Sequence, residues 1–219
     1  VPRFLPITPD GLVEQVIEPV LTAAAHTVIA VDGADAAQPV ALAQRIVEAL
    51  REAGRSADVV SLHDYVRPAS LRMEFGRTDE MSYRTAWFDY AALRREVIDA
   101  LRGHGRWLPS LWDEGADRSA RAAIRTAPPA TTIVLAGPML AGRHLDADLS
   151  LRLDLSEPAL RRRTAADAQW TIPALLRHDA ENPYTPTFFV RWDHPERPAL
   201  RVDEERANQP PSRRHRTAG

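Results

Sequence analysis

The sequence contains no cysteine. That excludes disulfides, thiolate metal sites and thiol nucleophiles, and it accords with a reducing cytoplasm. Lysine is absent too, since all 28 basic residues are arginine, so no mechanism that needs a lysine amine is open to this chain. No apolar run approaches the roughly 18 residues of a membrane span, and Val1 to Asp10 has neither the basic nor the apolar stretch of a leader. The expectation is a cytoplasmic protein with no membrane partner. With a formal net charge of −2 there is no broad attraction to nucleic acid either, and none is expected as a partner. The 7 histidines lack any His-x-x-x-His or comparable ligand spacing, so no metal site is expected. No G-x-S-x-G elbow points to a serine hydrolase.

What is present is 219 residues, 44% of them hydrophobic, enough for one substantial core. Leu12, Val13, Val16, Ile17, Val20 and Leu21 recur at helical spacing behind the start signal Thr8-Pro9-Asp10. The β-branched run Thr27 to Val31 then predicts a buried strand ending at Asp32-Gly33. After the loop from Gly33 to Gln38, Pro39 stands where a first helical residue would, and Leu42, Ile46, Val47 and Leu50 continue a helix to Gly54. Strands are predicted at Ala57 to Leu62, Thr131 to Leu135 and Thr187 to Trp192, and another where Leu149, Leu151, Leu153 and Leu155 alternate with Ser150, Arg152 and Asp154. Helical patches lie from Asp79 to Arg102, broken near Asp89, and two more helices are predicted, one opened by Ser156 and one from Thr171 to His178.

Strands alternating with helices predict an α/β fold: a parallel sheet with helices on both faces. Residues 1–202 read as a single domain. Residues 103–130, with their glycines, prolines and scattered charge, read as a small irregular excursion, and the polar stretch 203–219 reads as a disordered tail.

Several segments, in order, carry a family resemblance. Val28 to Ala37, followed by a helix, resembles the first strand and P-loop of uridine kinases and their relatives. Ser61 to Pro68 resembles that family's second-strand motif, Trp87 to Leu93 the start of the next helix, Leu111-Trp112-Asp113 its substrate-side aromatic-Asp motif, and Ile133 to Pro138 its third strand. The resemblance spans roughly residues 24 to 192. It implies a P-loop kinase-like fold, phosphoryl transfer from a nucleoside triphosphate with Mg²⁺ to a nucleoside-like hydroxyl compound, and a substrate-side role for the excursion.

The residue types depart from what that chemistry needs. A working P-loop reads G-x-x-x-x-G-K-[ST], with backbone N–H groups around the phosphates, a lysine on the β- and γ-phosphates and a hydroxyl on Mg²⁺. Here Gly33 and Asp35 lie in the loop, Gln38 replaces the second glycine, Pro39 the lysine and Val40 the hydroxyl. Asp32 and Asp35 also leave the loop negative. Hydrogen bonds to charged groups contribute roughly 1.5 to 3 kcal/mol each, and a micromolar ligand has only about 8 kcal/mol in total, so losing about three of them removes tight ATP binding. Ala136 stands where the family's Mg²⁺-organising acid would be. The resemblance places His63, with Asp64 directly behind it, at the catalytic base position, and Tyr65, Arg67, Asp89, Trp112 and Asp113 on the substrate side. It places Arg161, Arg162 and Arg163 on the lid helix as phosphate contacts. The reading is a degenerate, non-catalytic member that keeps a nucleoside or small-molecule cleft and needs no cofactor. The alternatives are an active kinase, using ATP and Mg²⁺, in which Arg67, Arg72 or the lid arginines supply the lysine's charge, and a regulatory subunit whose protein partner is unknown.

Overall fold

The computed structural model describes residues 3–202; the stretch 203–219, read above as a tail, lies outside the described residues. The strand-loop-helix unit read from the sequence is present as β2 (Thr27–Asp32), a one-turn 3₁₀ segment (Asp35–Ala37) and α2 (Pro39–Glu52). It follows β1 (Arg3–Pro6) and α1 (Pro9–Leu21), whose N-cap Thr8 accepts a hydrogen bond from the Gly11 N–H at 3.0 Å. Next come β3 (Ala57–Ser61), a 3₁₀ turn (Leu62–Tyr65), α3 (Ala69–Arg72) and α4 (Glu80–Thr85). A continuous helix then runs through α5 (Tyr90–Leu93), a π-helical stretch (Arg94–Asp99) and α6 (Ala100–His104), where Gly105 ends it in the left-handed region at φ 59°.

The excursion is built as two small antiparallel pairs, β4 (Arg106–Trp107) with β7 (Arg125–Thr126) and β5 (Trp112–Asp113) with β6 (Arg118–Ser119). The chain returns through β8 (Thr132–Gly137), β9 (Leu149–Asp154), α7 (Glu157–Arg163), α8 (Ile172–Glu181), β10 (Phe188–Arg191) and β11 (Ala199–Val202).

The main sheet runs β1-β11-β10-β9-β2-β8-β3. The five strands from β10 to β3 are parallel, and β11 and β1 extend the sheet beyond β10 in antiparallel pairing, Arg3 opposite Val202. The parallel sheet expected from the sequence is present, with an antiparallel pair added at one side. These two short strands escape the sequence reading because neither RFLP nor ALRV alternates apolar with polar residues. Helices α1 and α2 cover one face over Leu12, Val16, Ile29, Val31, Ile46 and Leu50, all buried. The other face packs Val28, Ile133 and Leu135 against the 90–104 helix and α8. Every residue of β2 and β8 is buried, as expected of central parallel strands with both faces covered.

Candidate functional site

In chain order the five parallel strands lie 2-3-1-4-5 across the sheet. Open α/β sheets bind ligands beyond the carboxyl ends of their strands, where that order switches direction. Here this is the ground between the loop after β2, the turn after β3 and the ends of β8 and β9.

The loop after β2 is packed rather than open. A Cβ on Gly33 would lie 2.9 Å from the Leu153 Cβ, so only glycine lets the loop rest on β9. Ala37 is fully buried, Gln38 is held in the left-handed region at φ 57°, and Pro39 opens α2 without a backbone N–H to offer. Val40 packs on the α1–α2 side of the sheet. Beneath Ala34, a small pocket lined also by Met139, Arg152, Leu153, Leu160 and Leu175 holds about 20 Å³, room for about one water molecule, while Asp35 and Gln38 are exposed on the loop's outer side.

The two loop carboxylates, unpaired in the sequence reading, each have a cation supplied from elsewhere. Asp32, only 1% exposed, accepts from the Leu140 N–H at 3.0 Å, from the Arg152 guanidinium at 2.9 Å and from the Tyr184 hydroxyl at 3.3 Å. Arg152 also pairs with Asp179. Burial works against the Arg152 charge, but the Asp32 and Asp179 carboxylates outweigh it and hold the guanidinium above its ordinary range. Asp35 faces His63, whose Nε2 lies 3.1 Å from both carboxylate oxygens. The other ring nitrogen of His63 lies 2.8 Å from Glu114 Oε2, and Glu114 Oε1 accepts from the Trp87 indole N–H at 3.2 Å. The ring also meets Phe88 edge-on at 5.4 Å.

This clasp fixes the protonation of His63. Burial depresses its pKa, but the hydrogen bonds and charges of Asp35 and Glu114 prevail and raise it to about 10. For Glu114 burial acts upward and the His63 hydrogen bond and charge act downward, with a net lowering. At neutral pH the pair is imidazolium and carboxylate, and a histidine protonated there has no lone pair with which to act as a base. Asp64, pushed up by burial, faces Ser110, and its carbonyl accepts from the Leu111 N–H at 2.9 Å.

The substrate-side residues are engaged within the fold. Tyr65 is fully buried and donates to the Leu108 carbonyl at 2.5 Å. Arg67 contributes its backbone: its carbonyl accepts from the buried Arg72 at 2.6 Å and its N–H donates to the Trp87 carbonyl at 2.8 Å. Asp89 caps α5 by accepting from the Ala92 N–H at 2.9 Å, which is why the helical pattern breaks there. Trp112 donates to Asp117 at 3.1 Å, and Asp113 accepts from the Ala116 N–H at 3.0 Å within its own turn. On α7, Arg161 pairs with Glu157 at 2.7 Å, Arg162 is exposed, and Arg163 donates to the Trp192 carbonyl at 2.9 Å. The three arginines are not gathered on the loop.

Sequence reasoning missed Glu114, Asp117, Arg152, Asp179 and Tyr184. Of these only Arg152 carried a signal, a full charge repeating on one face of a leucine strand. The clasp has a measurable pH signature. A histidine whose pKa rises on folding stabilises fully below its unfolded value near 6.5, and that contribution is lost as pH rises through about 10. The urea stability gap between the native protein and His63→Gln is therefore expected to narrow between pH 7 and pH 10.5. A gap that stays constant over that range would show that no such clasp forms in solution.

No protein-family model matches the chain, and no curated protein matches it in sequence. Solved structures do match in shape. One, provisionally assigned as a uridine kinase from Bacillus stearothermophilus, superposes with a TM-score of 0.63 at 16% identity, covering 80% of this chain and 91% of that one. Another, provisionally assigned as a fructose transport system kinase from Silicibacter sp. TM1040, gives 0.62 at 19% identity over 84% and 98%. D-glycerate 3-kinase from Cryptococcus neoformans gives 0.51 at 13% over 80% and 82%. The 2-3-1-4-5 parallel core and these superpositions together make the fold that of the uridine kinase-like P-loop kinases.

Proposed function

We propose that this chain is a non-catalytic member of the uridine kinase-like group, in which the nucleotide loop has become a structural joint and the protein acts by binding rather than by phosphoryl transfer. The observation that carries the reading is the state of the loop: Pro39 and Val40 where a cation and a hydroxyl are needed, Gly33 pressed against Leu153, Ala37 buried and Asp35 held to His63. ATP and Mg²⁺ do not fit these residues. No group of three or more His, Cys, Asp or Glu suited to a metal occurs among the described residues. Of the arginines proposed to replace the lysine, Arg72 is held by the Arg67 carbonyl and Asp117, Arg161 by Glu157 and Arg163 by the Trp192 carbonyl. His63, charged at neutral pH, has no capacity to take a proton from an acceptor hydroxyl.

The similar structures are named as a uridine kinase, a fructose transport system kinase and a D-glycerate 3-kinase, so a small hydroxyl compound is the natural ligand to expect of a retained binding role. Calorimetry with ATP and Mg²⁺ is expected to give no association tighter than about 1 mM, corresponding to roughly 4 kcal/mol. Micromolar affinity that disappears when Gly33 to Val40 is altered would overturn the reading. In the same preparation a uridine-class ligand present at 100 times its Kd would add about 2.7 kcal/mol of stability.

A further inference from the structure

The π-helical stretch Arg94–Asp99 has no part in the loop site, yet it borders a cavity of about 380 Å³, within the range of small-molecule sites. Such stretches occur mostly as single-turn bulges and often at functional positions. Its effect here is local. The widened turn frees the Glu96 carbonyl, which accepts from the Leu108 N–H at 3.0 Å. Leu108 is held from its other side by the Tyr65 hydroxyl at 2.5 Å. The backbone beneath the cavity is thus fixed from two directions, and the cavity is preformed.

Trp107, Leu108, Ala100 and Ile124 supply its apolar surface, Ile124 being 61% exposed at the mouth. The charged groups that face it are Arg95, Glu96, Asp99 and Arg106, with His104 beside them. Both acids are answered by arginines of the same helix: Glu96 lies 2.8 Å from Arg95, and Asp99 lies 3.8 Å from Arg94. The guanidinium of Arg106 has no hydrogen-bond or ion-pair partner among the described residues. Trp107, 5% exposed, contributes ring surface only, since its indole N–H is buried and has almost no accessible surface on the cavity. An unpaired planar cation calls for an acceptor-rich, negatively charged group, and the apolar surface calls for a body to bury beside it.

We propose that this cavity binds a small aromatic carboxylate, with the carboxylate on Arg106 and the ring against Trp107, Leu108 and Ile124. The site lies on the 90–104 helix and the β4–β7 pair and is independent of whether the nucleotide loop is active.

A titration of the full chain with 2-naphthoate, followed by backbone amide NMR, tests it. The expected result is a Kd below about 1 mM, with shifts confined to residues 94–108 and 124–126. Arg106→Gln, at an exposed position where the fold does not depend on the side chain, is expected to weaken binding at least tenfold, Arg106→Lys to recover part of it, and neutral 2-naphthamide to bind at least tenfold more weakly than the acid. Equal affinity for acid and amide, no response to Arg106→Gln, shifts scattered over the surface, or no binding at all would each overturn the proposal.

Discussion

Replacing Arg152 by methionine is expected to destabilise the protein by about 3–5 kcal/mol, because it strands the Asp32 carboxylate in the interior without its cation. The Asp32 side chain is 2% exposed and that of Arg152 12%, so water does not substitute for the lost partner. A loss of that size shifts a domain of this length by roughly 2–4 °C for each kcal/mol, well outside measurement error. The double variant Asp32→Asn, Arg152→Met is expected to regain most of the loss, since an asparagine oxygen still accepts from the Leu140 N–H and the one carboxylate left without Arg152, that of Asp179, is 38% exposed. Urea titrations of the three proteins give the coupling directly. A single-variant loss below about 1 kcal/mol, or a double variant no better than Arg152→Met, would mean that Asp32 is already neutral or hydrated.

Rebuilding the loop chemistry is expected to leave nucleotide binding absent. The change Gln38→Gly, Pro39→Lys, Val40→Thr restores glycine, cation and hydroxyl, and the glycine also relieves a left-handed residue at a gain of about 1 kcal/mol. The restored lysine nonetheless meets the Asp35 carboxylate, and the pocket of about 20 Å³ beneath Ala34, walled by Leu160 and Leu175, adds no room for phosphates. The folded triple variant is therefore expected to bind ATP with Mg²⁺ no more tightly than about 1 mM by calorimetry. Micromolar binding in that variant would mean that Leu160 and Leu175 swing clear on demand, and that the loop residues alone had been the defect.

These two expectations rest on features of unequal visibility in the sequence. The strand-loop-helix from Thr27 to Glu52 was legible because hydrophobic period, turn residues and Pro39 all point to one local structure. Ser156 and Asp89 announced helix starts for the same reason, each capping an N–H three residues on. The network beneath the loop was illegible because its partners are far apart in the chain, Asp32 120 residues from Arg152 and His63 51 residues from Glu114. Asp32 looked like loop charge when it is the last residue of a buried strand. Tyr65 looked like a ligand-stacking aromatic, yet its environment, and with it its role, comes from Leu108 across the excursion. The π-helical stretch has the side-chain pattern of an ordinary helix, and only the Glu96 carbonyl's distant partner marks it.

The antiparallel pairing of β1 with β11 sets how the molecule bears mechanical load. Arg3 lies opposite Val202 and Pro6 opposite Ala199, so tension applied between the first and last described residues pulls one cross-strand rung apart at a time, as a zipper opens, rather than sliding all the rungs together. β1 and then β11 peel away at low force, while the five parallel strands, whose rungs do not lie in that line, stay joined. The two strands that the sequence hid best are the mechanical fuse of the sheet.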